Sequence, residues 1–321
     1  MKSFWIDGDT MKLVSRDVPA PELKPGAVMV RMKAVALNRG EFIAGHGLHA
    51  PGSMKPAGYE GAGEVIAMGS GVTGLTVGDR IMGRATAAFA ELAVMQAAEA
   101  VKMPGTLDWT TAAGAGITYL TAYDALIVEG QCVAGDWALL TGASSGVGVA
   151  AIQISRALGF KTFGTTGNGA KLERLKAIGM DAGVVTRAPN FASQVREASG
   201  GKGARVAVNN VGGSLFDACI QSLAYRGTMI VVGYVDREVE PKVDLMAVHA
   251  NRLRVIGISA KLRSAQERAQ LVAGFAQAVL PKIIDGSIKP LVDRVFSFDE
   301  LPAAKDYMER DEHLGKIVAT L

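Results

Sequence analysis

The sequence is poor in the side chains that bind metals through sulfur or nitrogen. Its 321 residues include two cysteines, Cys132 and Cys219, and four histidines. The two cysteines lie far apart, which excludes both a disulfide framework and a paired-cysteine metal motif. A zinc site needs three or four converging ligands, and these few scattered side chains do not supply them. We therefore expect no bound metal.

The sequence also lacks an excess of one charge and a long apolar run. The 34 basic and 31 acidic residues leave a net charge of +3, without a basic stripe. A nucleic-acid partner is therefore not expected. No segment reaches the ~18 uninterrupted apolar residues of a membrane span, and residues 1–9 contain no apolar signal core. The expectation is a cytoplasmic protein with no membrane partner.

What the sequence does contain is enough apolar material for a large core. Hydrophobic residues make up 49% of the chain and charged residues 20%. At roughly 150 residues per domain, the length predicts two domains. Up to about residue 104, short strand-like segments alternate with glycine and proline, as at 28–36, 61–68 and 78–83. Many short strands with turn signals favour a β-barrel or sandwich.

From about residue 109 the pattern changes to alternating strands and helices. A buried strand is predicted at 137–141 and a helix at 147–158, followed by further strand–helix units up to about residue 260. Six strands interleaved with helices indicate an α/β fold with a doubly wound parallel sheet. A long helix is predicted at 264–284, and the strand-like tail after it is expected to return to the first domain.

A loop of small residues, Thr-Gly-Ala-Ser-Ser-Gly-Val-Gly at 141–148, joins the first strand of that region to its first helix. In dinucleotide sites, small residues permit a sharp turn and a close approach to the pyrophosphate, which meets the helix N-terminus. The spacing departs from the common G-x-G-x-x-G, and a tight structural turn is the alternative. The predicted cofactor-binding residues of this loop are Gly142, Ser144, Ser145, Gly146, Val147 and Gly148.

The next strand ends without the carboxylate that an NAD site requires. Such sites place an aspartate or glutamate about 20 residues beyond the loop, where it binds the ribose 2′-hydroxyl. Here no acid precedes Glu173, whereas Thr166 and Lys171 come first. A hydroxyl and a lysine suit the 2′-phosphate of NADPH. The alternative for Lys171 is a solvated lysine at the start of a helix.

At this point the motifs resemble the medium-chain dehydrogenase/reductase superfamily. Residues 58–65, Gly-Tyr-Glu-Gly-Ala-Gly-Glu-Val, resemble the G-H-E-x-x-G motif of its zinc alcohol dehydrogenases. Tyr59 and Asn38 stand where those enzymes have a histidine and a cysteine that bind zinc. Their second catalytic cysteine matches residues 114–116, which contain none, and their structural-zinc cysteines have no counterpart before residue 131. The resemblance therefore excludes zinc.

What remains is similar, over essentially the whole chain, to the zinc-free quinone oxidoreductase branch, which includes zeta-crystallin-like and p53-inducible quinone reductase-like proteins. The segments that carry this likeness are 37–38, 141–148, 210–213, 232–234, 262–290 and 313–316. The resemblance implies a GroES-like β-barrel catalytic domain at 1–122 and 261–321, and a Rossmann NADPH-binding domain at 123–260. It also implies a homodimer that pairs the outer Rossmann strands around residues 254–259.

The resemblance extends the set of candidate cofactor-binding residues. Two departures from the branch are visible: His49 replaces a tyrosine expected near the nicotinamide, and Thr186 replaces one near the adenosine phosphate. Arg187 follows Thr186 and could add charge at that phosphate. Lys316 could reach the edge of the cofactor in a closed form, or its turn could be structural. The further candidates are Thr121, Arg187, Asn210, Gly233, Tyr234 and Lys316.

Without zinc, no Lewis acid stabilises a developing alkoxide, which argues against ordinary alcohol oxidation. Hydride addition to a quinone or an activated alkene gives a delocalised anion instead. We therefore expect an NADPH-dependent quinone oxidoreductase. The alternatives are a reductase of enones and other activated alkenes, and a non-catalytic NADPH-binding protein.

The expected catalytic residues are Asn38 and Tyr59, with the nicotinamide beside them and Thr121 in the cleft between the domains. Asn38 could hydrogen-bond the acceptor or the nicotinamide ribose, or only cap a turn. Tyr59 could donate to the acceptor oxygen, stack on it, or serve only as a wall. The proton is expected from water, and His49 is interpreted as a loop histidine rather than a general acid.

Overall fold

A computed structural model describes residues 1–43 and 52–321. These residues form two compact units, each with its own core. Unit 1 comprises Met1–Ile117, Ala265–Ile284 and Pro290–Leu321, and unit 2 comprises Thr118–Ser264 and Asp285–Lys289. The domain bounds inferred above from the resemblance stay a prediction.

Unit 1 is built on two β-sheets. The smaller has the order β2 (Leu13–Asp17), β1 (Lys2–Asp7), β4 (Met54–Pro56) and is antiparallel. The larger has seven strands, in the order β15 (Val292–Ser297), β16 (Lys316–Thr320), β3 (Ala27–Ala36), β5 (Glu60–Met68), β6 (Arg80–Arg84) and β8 (Ala100–Lys102), with β7 (Leu92–Gln96) also paired to β3. Residues of both sheets and of the loops between them form one core, which includes Phe4, Met32, Ile81 and Phe89.

Strand register brings three distant chain segments together at one end of the larger sheet. The antiparallel pairing of β3 and β5 sets Val35 opposite Gly61, and that of β16 and β3 sets Val318 opposite Ala36. The last residues of β3 therefore lie beside the first residues of both β5 and β16. Side chains just after residue 36, at residue 60 and at residue 316 must then share one small volume.

The segment predicted as one helix at 264–284 forms two, α7 (Ala265–Ala278) and α8 (Leu280–Ile284). Pro281 accounts for the break because proline lacks the N–H needed inside a helix but is accepted in a first turn. It is the second residue of α8.

Helix α9 (Leu301–Glu309) was not predicted from the sequence. A short 3-10 turn, Phe298–Glu300, precedes it and is closed by a capping box between Ser297 and Glu300. The Ser-x-x-Glu spacing, followed by Pro302 in the first turn of the helix, is the signal that could have revealed it.

Unit 2 contains a six-stranded sheet in which every neighbouring pair is parallel. The strand order is β11 (Ala182–Val185), β10 (Lys161–Thr166), β9 (Trp137–Leu140), β12 (Ala204–Asn209), β13 (Leu223–Val231) and β14 (Arg254–Gly257). This is the 3-2-1-4-5-6 order of a dinucleotide-binding fold, and it confirms the predicted doubly wound sheet. The order reverses between β9 and β12, where such folds bind ligands at the carboxyl ends of the strands.

Helices connect these parallel strands, as right-handed crossovers require. They are α2 (Gly146–Leu158), α3 (Gly169–Ala177), α4 (Ala192–Ala198), α5 (Phe216–Ser222) and α6 (Leu245–Asn251). An earlier helix, α1 (Trp109–Tyr123), continues as a π-helical segment, Asp124–Glu129. In the described parts of the chain, no helix has the length and apolar character that a membrane crossing demands.

Candidate functional site

The loop after β9 has the geometry expected of a phosphate-binding turn. Gly142 has a φ of +56°, a left-handed conformation that glycine adopts at little cost. Ser145 caps α2, because its Oγ accepts a hydrogen bond of 3.1 Å from the backbone N of Gly148. A Cβ on Gly148 would lie 2.5 Å from the carbonyl oxygen of Ala143, so only glycine fits there. The first N–H groups of α2 are then available to an anion.

The ends of β9 and β12 are joined by side-chain hydrogen bonds at the point where the strand order reverses. The Thr141 hydroxyl donates to Oδ1 of Asn209 at 2.9 Å and accepts from the backbone N of Asn210 at 3.0 Å. Nδ2 of Asn210 donates to the Thr141 carbonyl at 2.9 Å. Oδ1 of Asn210 is buried and has no hydrogen-bond partner within the described residues. An orphaned buried acceptor is costly, and a donor on a bound ligand would satisfy it.

The end of β10 brings together the polar and basic residues predicted for a 2′-phosphate. Asn168 caps α3 by accepting from the backbone N of Lys171 at 3.2 Å, which sets Lys171 in the first turn. The exposed Arg187 lies against Gly167, where an added Cβ would be 2.5 Å from the arginine Nε. The hydroxyl of Thr166 is buried and has no partner in the part of the chain described here. The segment 166–171 together with Arg187 carries positive charge and no carboxylate, and its role at a 2′-phosphate stays a prediction.

The remaining predicted residues are less informative. Gly233 and Tyr234 follow β13 at the same carboxyl edge of the sheet, and Tyr234 is exposed. Thr121 is half-buried in α1. His49 lies outside the described residues. The cofactor-binding roles of these residues stay predictions.

Unit 1 contains a buried polar cluster, formed by Asn38, Glu41, Glu60 and Lys316. Asn38 follows β3, and Glu41 lies in the next turn, a 3-10 helix at Arg39–Phe42. Glu60 opens β5 and Lys316 opens β16, so the strand register described above places them beside Asn38. Sequence reasoning proposed Asn38 and Lys316 but missed both carboxylates. The signal that could have revealed them is an acid in each of two segments, 36–41 and 58–65, whose other residues were interpreted as family motifs or as core.

Lys316 is fully engaged inside this cluster. Its Nζ donates to the Leu37 carbonyl at 2.9 Å, to Oδ1 of Asn38 at 2.8 Å and to Oε2 of Glu60 at 2.7 Å. A lysine ammonium has three donors, and all three are used. The predicted contact of Lys316 with the edge of the cofactor would require one of these bonds to break.

Asn38 is held by the same cluster. Its Nδ2 donates to Oε1 of Glu41 at 3.0 Å and to Oε2 of Glu60 at 2.9 Å, while its Oδ1 accepts from Lys316. Both amide donors are therefore occupied, and only a second lone pair on Oδ1 is left for a ligand. The alternative of a turn cap is not observed, because the Asn38 side chain makes no capping hydrogen bond.

Glu60 is completely buried and held at both carboxylate oxygens. Oε2 accepts from Asn38 and Lys316, and Oε1 accepts from the backbone N of Ile117 at 2.5 Å. A Cβ on Gly116 would lie 3.1 Å from Oε1, so glycine leaves room for this carboxylate. The Glu60–Lys316 ion pair is thus shielded from solvent, with exposed side-chain fractions of 0% and 4%.

Burial, and to a smaller extent the negative charge of Glu60, raise the pKa of Glu41 to about 8 against the opposing effects of Asn38 and Lys316. At neutral pH Glu41 therefore holds its proton, and the cluster contains one cation, one anion and one neutral acid. Burial and the nearby Glu41 also raise the pKa of Tyr59, which keeps its hydroxyl as a donor.

Glu41→Gln is expected to flatten the dependence of stability on pH. The folded chain retains a proton that the unfolded chain loses between about pH 4.5 and about 8, so wild-type stability falls as pH rises through this window. The slope from this group is at most about 1.4 kcal/mol per pH unit. Glutamine cannot ionise, so the variant should gain stability relative to wild type across the window.

Thermal unfolding followed from about pH 5 to about pH 9 measures this difference. The exposed Glu173→Gln is the matched control and should run parallel to wild type. Parallel curves for Glu41→Gln would contradict the assigned protonation state.

Neither cysteine offers a reactive thiol or a metal ligand. Both are buried, and burial raises the pKa of Cys132 to about 12 and that of Cys219 still more. Within residues 1–43 and 52–321, no group of three histidine, cysteine, aspartate or glutamate side chains could hold a metal ion.

Comparison with known families agrees with both units. Residues 24–105 match the family described as the alcohol dehydrogenase GroES-like domain. Residues 146–276 match the family described as zinc-binding dehydrogenase. The first match lies in the strand-rich part of unit 1 and the second begins with α2 at the predicted dinucleotide loop. The predicted combination of a GroES-like domain with a Rossmann domain is confirmed.

Solved structures resemble the chain over its full length. Mycobacterial Rv1454c complexed with NADPH is 25% identical, with a TM-score of 0.89 and complete coverage of both chains. The quinone oxidoreductase of Pseudomonas syringae pv. Tomato DC3000 is 27% identical, with a TM-score of 0.88 and coverage of 100% of this chain and 99% of that one.

Curated relatives fall into two kinds. The human synaptic vesicle membrane protein VAT-1 homolog is 28% identical over 97% of this chain and 83% of its own length. The highly reducing polyketide synthase ALT1 of Alternaria alternata is 30% identical over 97% of this chain but only 12% of its own length. The chain spans about a tenth of the length of such synthases. On its two domain matches the chain belongs to the medium-chain dehydrogenase/reductase superfamily, and its full-length structural neighbours are consistent with the quinone oxidoreductase branch.

Proposed function

We propose that the chain is an NADPH-dependent oxidoreductase that transfers hydride to a quinone-type acceptor. The observation that carries the proposal is the end of β10, where Lys171 and Arg187 accompany Thr166 and Gly167 without a carboxylate. An NAD site would place an acid there. A structural neighbour of 25% identity is described as a complex with NADPH, which supports the same cofactor.

The residues of unit 2 fit the cofactor. Gly142 permits the left-handed turn of the loop, Gly148 permits its close packing on Ala143, and the start of α2 offers N–H groups to a pyrophosphate. The orphaned Oδ1 of Asn210 can accept a hydrogen bond from the ribose or the carboxamide. When bound, reduced nicotinamide supplies the hydride, and the protein supplies binding and orientation.

We assign Tyr59 as the donor to the oxygen of the acceptor. Reduction of a quinone or an enone builds negative charge on that oxygen, and a hydrogen bond that strengthens with the charge lowers the barrier. Both donors of Asn38 are occupied, whereas the pKa of the Tyr59 hydroxyl is raised. Tyr59 precedes Glu60, so the buried polar cluster anchors the chain beside it, with Glu41 neutral at pH 7.

A second candidate is an NADPH-dependent reductase of activated carbon–carbon double bonds. Matches of nearly the whole of this chain to short parts of polyketide synthases, two of them described as highly reducing, favour this alternative. The same residues would act, since an enolate oxygen and a quinol oxygen carry similar charge. The difference lies in the acceptor alone.

The test is NADPH oxidation with a quinone, an enone and a simple ketone, together with NADP⁺ reduction by the corresponding alcohol. Quinone turnover supports the first proposal, and turnover of the enone alone replaces it with the second. NADPH binding without turnover of any acceptor would contradict both, as would alcohol oxidation that depends on added zinc. Tyr59→Phe should lower kcat for the productive acceptor by roughly 100- to 1,000-fold and leave the Kd for NADPH unchanged.

A further inference from the structure

Four arginines of unit 2 line one concavity of about 290 Å³. This volume is near the lower end of the range for small-molecule sites. Arg205 is half-buried and the other three arginines are exposed. The lining residues are Gln131, Arg205, Arg226, Arg252 and Arg254.

The concavity lies at the amino ends of the parallel strands, whereas the predicted cofactor site lies at their carboxyl ends. Arg205 is the second residue of β12 and Arg254 is the first residue of β14. The loop at 141–148 instead follows the carboxyl end of β9. Because all six strands are parallel, all their amino ends lie on one side of the sheet and all their carboxyl ends lie on the other. A ligand of this concavity is therefore not the dinucleotide.

The concavity concentrates positive charge without a compensating acid. No carboxylate lines it, and none of its four arginines forms an ion pair with any residue of the described ranges. One arginine is held in place, since Nη1 of Arg205 donates to the Arg226 carbonyl at 2.6 Å. Guanidinium groups present planar forks that match phosphate oxygens.

The backbone around the concavity is strained. Gln131 and Arg226 have φ values of 50° and 59°, and the φ of 52° at Arg252 belongs to the left-handed C-cap of α6. These are three of the seven non-glycine residues with positive φ in the described part of the chain. Each such conformation costs about 1–2 kcal/mol, and strain of this kind concentrates where ligands are clamped.

Charge on an edge strand also discourages strand pairing with other chains. That role, or a place beside the homodimer seam that the resemblance implies at 254–259, could explain Arg254, because β14 is the outermost strand. It does not explain Arg205 and Arg226, whose strands β12 and β13 are flanked on both sides. Arginines from both the outermost strand and two interior strands meet at this concavity, and that convergence indicates a binding site.

We propose that this concavity binds a compact polyanion whose recognised group is a di- or triphosphate. Four positive charges around one concavity, one of them held in place, call for a ligand of several negative charges in a small volume, and a phosphate chain provides both. The site is independent of the proposed hydride transfer, because it uses none of the residues assigned to the cofactor or the acceptor.

Calorimetric titration of the full chain with inorganic triphosphate tests the proposal. The double variant R252Q/R254Q should bind at least roughly 10-fold more weakly, since it loses two charge-assisted contacts. The control R237Q removes an exposed arginine with a similar φ of 64° and should bind like wild type. K171A/R187A should also retain triphosphate binding, which separates this site from the predicted cofactor site.

Several results would overturn the proposal. The first is that the wild type does not bind triphosphate. The second is that R252Q/R254Q and R237Q bind triphosphate with equal affinity, and the third is that K171A/R187A loses triphosphate binding. Tighter binding of citrate than of triphosphate would overturn the phosphate assignment. A changed molecular mass of R252Q/R254Q with unchanged triphosphate affinity would assign the arginines to a subunit contact instead. If the double variant fails to fold, the single variant R254Q should show a smaller loss of the same kind, and unchanged affinity there also overturns the proposal.

Discussion

Lys316→Met is expected to lower the free energy of unfolding by about 3–5 kcal/mol, a loss typical of breaking a buried ion pair from one side. The variant leaves the Glu60 carboxylate, with 0% side-chain exposure, without its positive partner. It also removes hydrogen bonds to Asn38 and to the Leu37 carbonyl. Urea unfolding at neutral pH, followed by circular dichroism, measures the effect.

The matched control is Lys176→Met, which breaks an exposed pair with Glu173 and should change stability by at most about 1 kcal/mol. Adding Glu60→Gln to Lys316→Met removes both charges and should recover part of the loss. Equal stabilities of Lys316→Met and Lys176→Met would show that the buried charge of Glu60 is compensated in some other way.

Arg187→Ala and Lys171→Ala are each expected to weaken NADPH binding by roughly 10- to 100-fold and to leave NADH binding nearly unchanged. A charge-assisted hydrogen bond to phosphate contributes about 1.5–3 kcal/mol, and each tenfold change in affinity corresponds to about 1.4 kcal/mol. The two coenzymes differ only in the 2′-phosphate, so the ratio of their affinities isolates these contacts. Fluorescence titration of both reduced coenzymes measures that ratio.

Lys202→Ala is the control for a lost surface charge in the same unit. Lys202 is exposed and precedes β12, so it lies at the amino ends of the strands, away from the loop at 141–148. Its replacement should affect neither coenzyme. If Arg187→Ala weakened NADPH and NADH equally, Arg187 would have to be removed from the 2′-phosphate site, and the same outcome for Lys171→Ala would remove Lys171.

Local patterns predicted the parallel sheet of unit 2 well, because each strand–loop–helix step is short. The small residues at 141–148 and the absence of an acid before Glu173 were visible in the sequence, and the structure adds the reasons for Gly148 and Gly167. The break between α7 and α8 and the presence of α9 were missed, although Pro281 and the Ser297 capping box carried the signal.

The hydrogen-bonding state of the predicted catalytic residues could not be inferred in this way. Asn38 was expected to contact the acceptor or the ribose, yet its two donors are taken by Glu41 and Glu60. No local pattern connects Asn38 to Lys316, which is at the far end of the chain. They meet because β16 pairs with β3, and that pairing is a property of the folded sheet.

The sequence by itself determined the family, the two-domain order and the basic, acid-free loop after β10, because these depend on neighbouring residues and on their spacing. The tertiary structure alone decided which hydrogen-bond donors of the candidate residues are occupied and that Glu41 keeps its proton. It also decided that four arginines converge at the amino ends of the parallel strands. Such properties arise from burial and from strand register, which bring together residues that are distant in the chain.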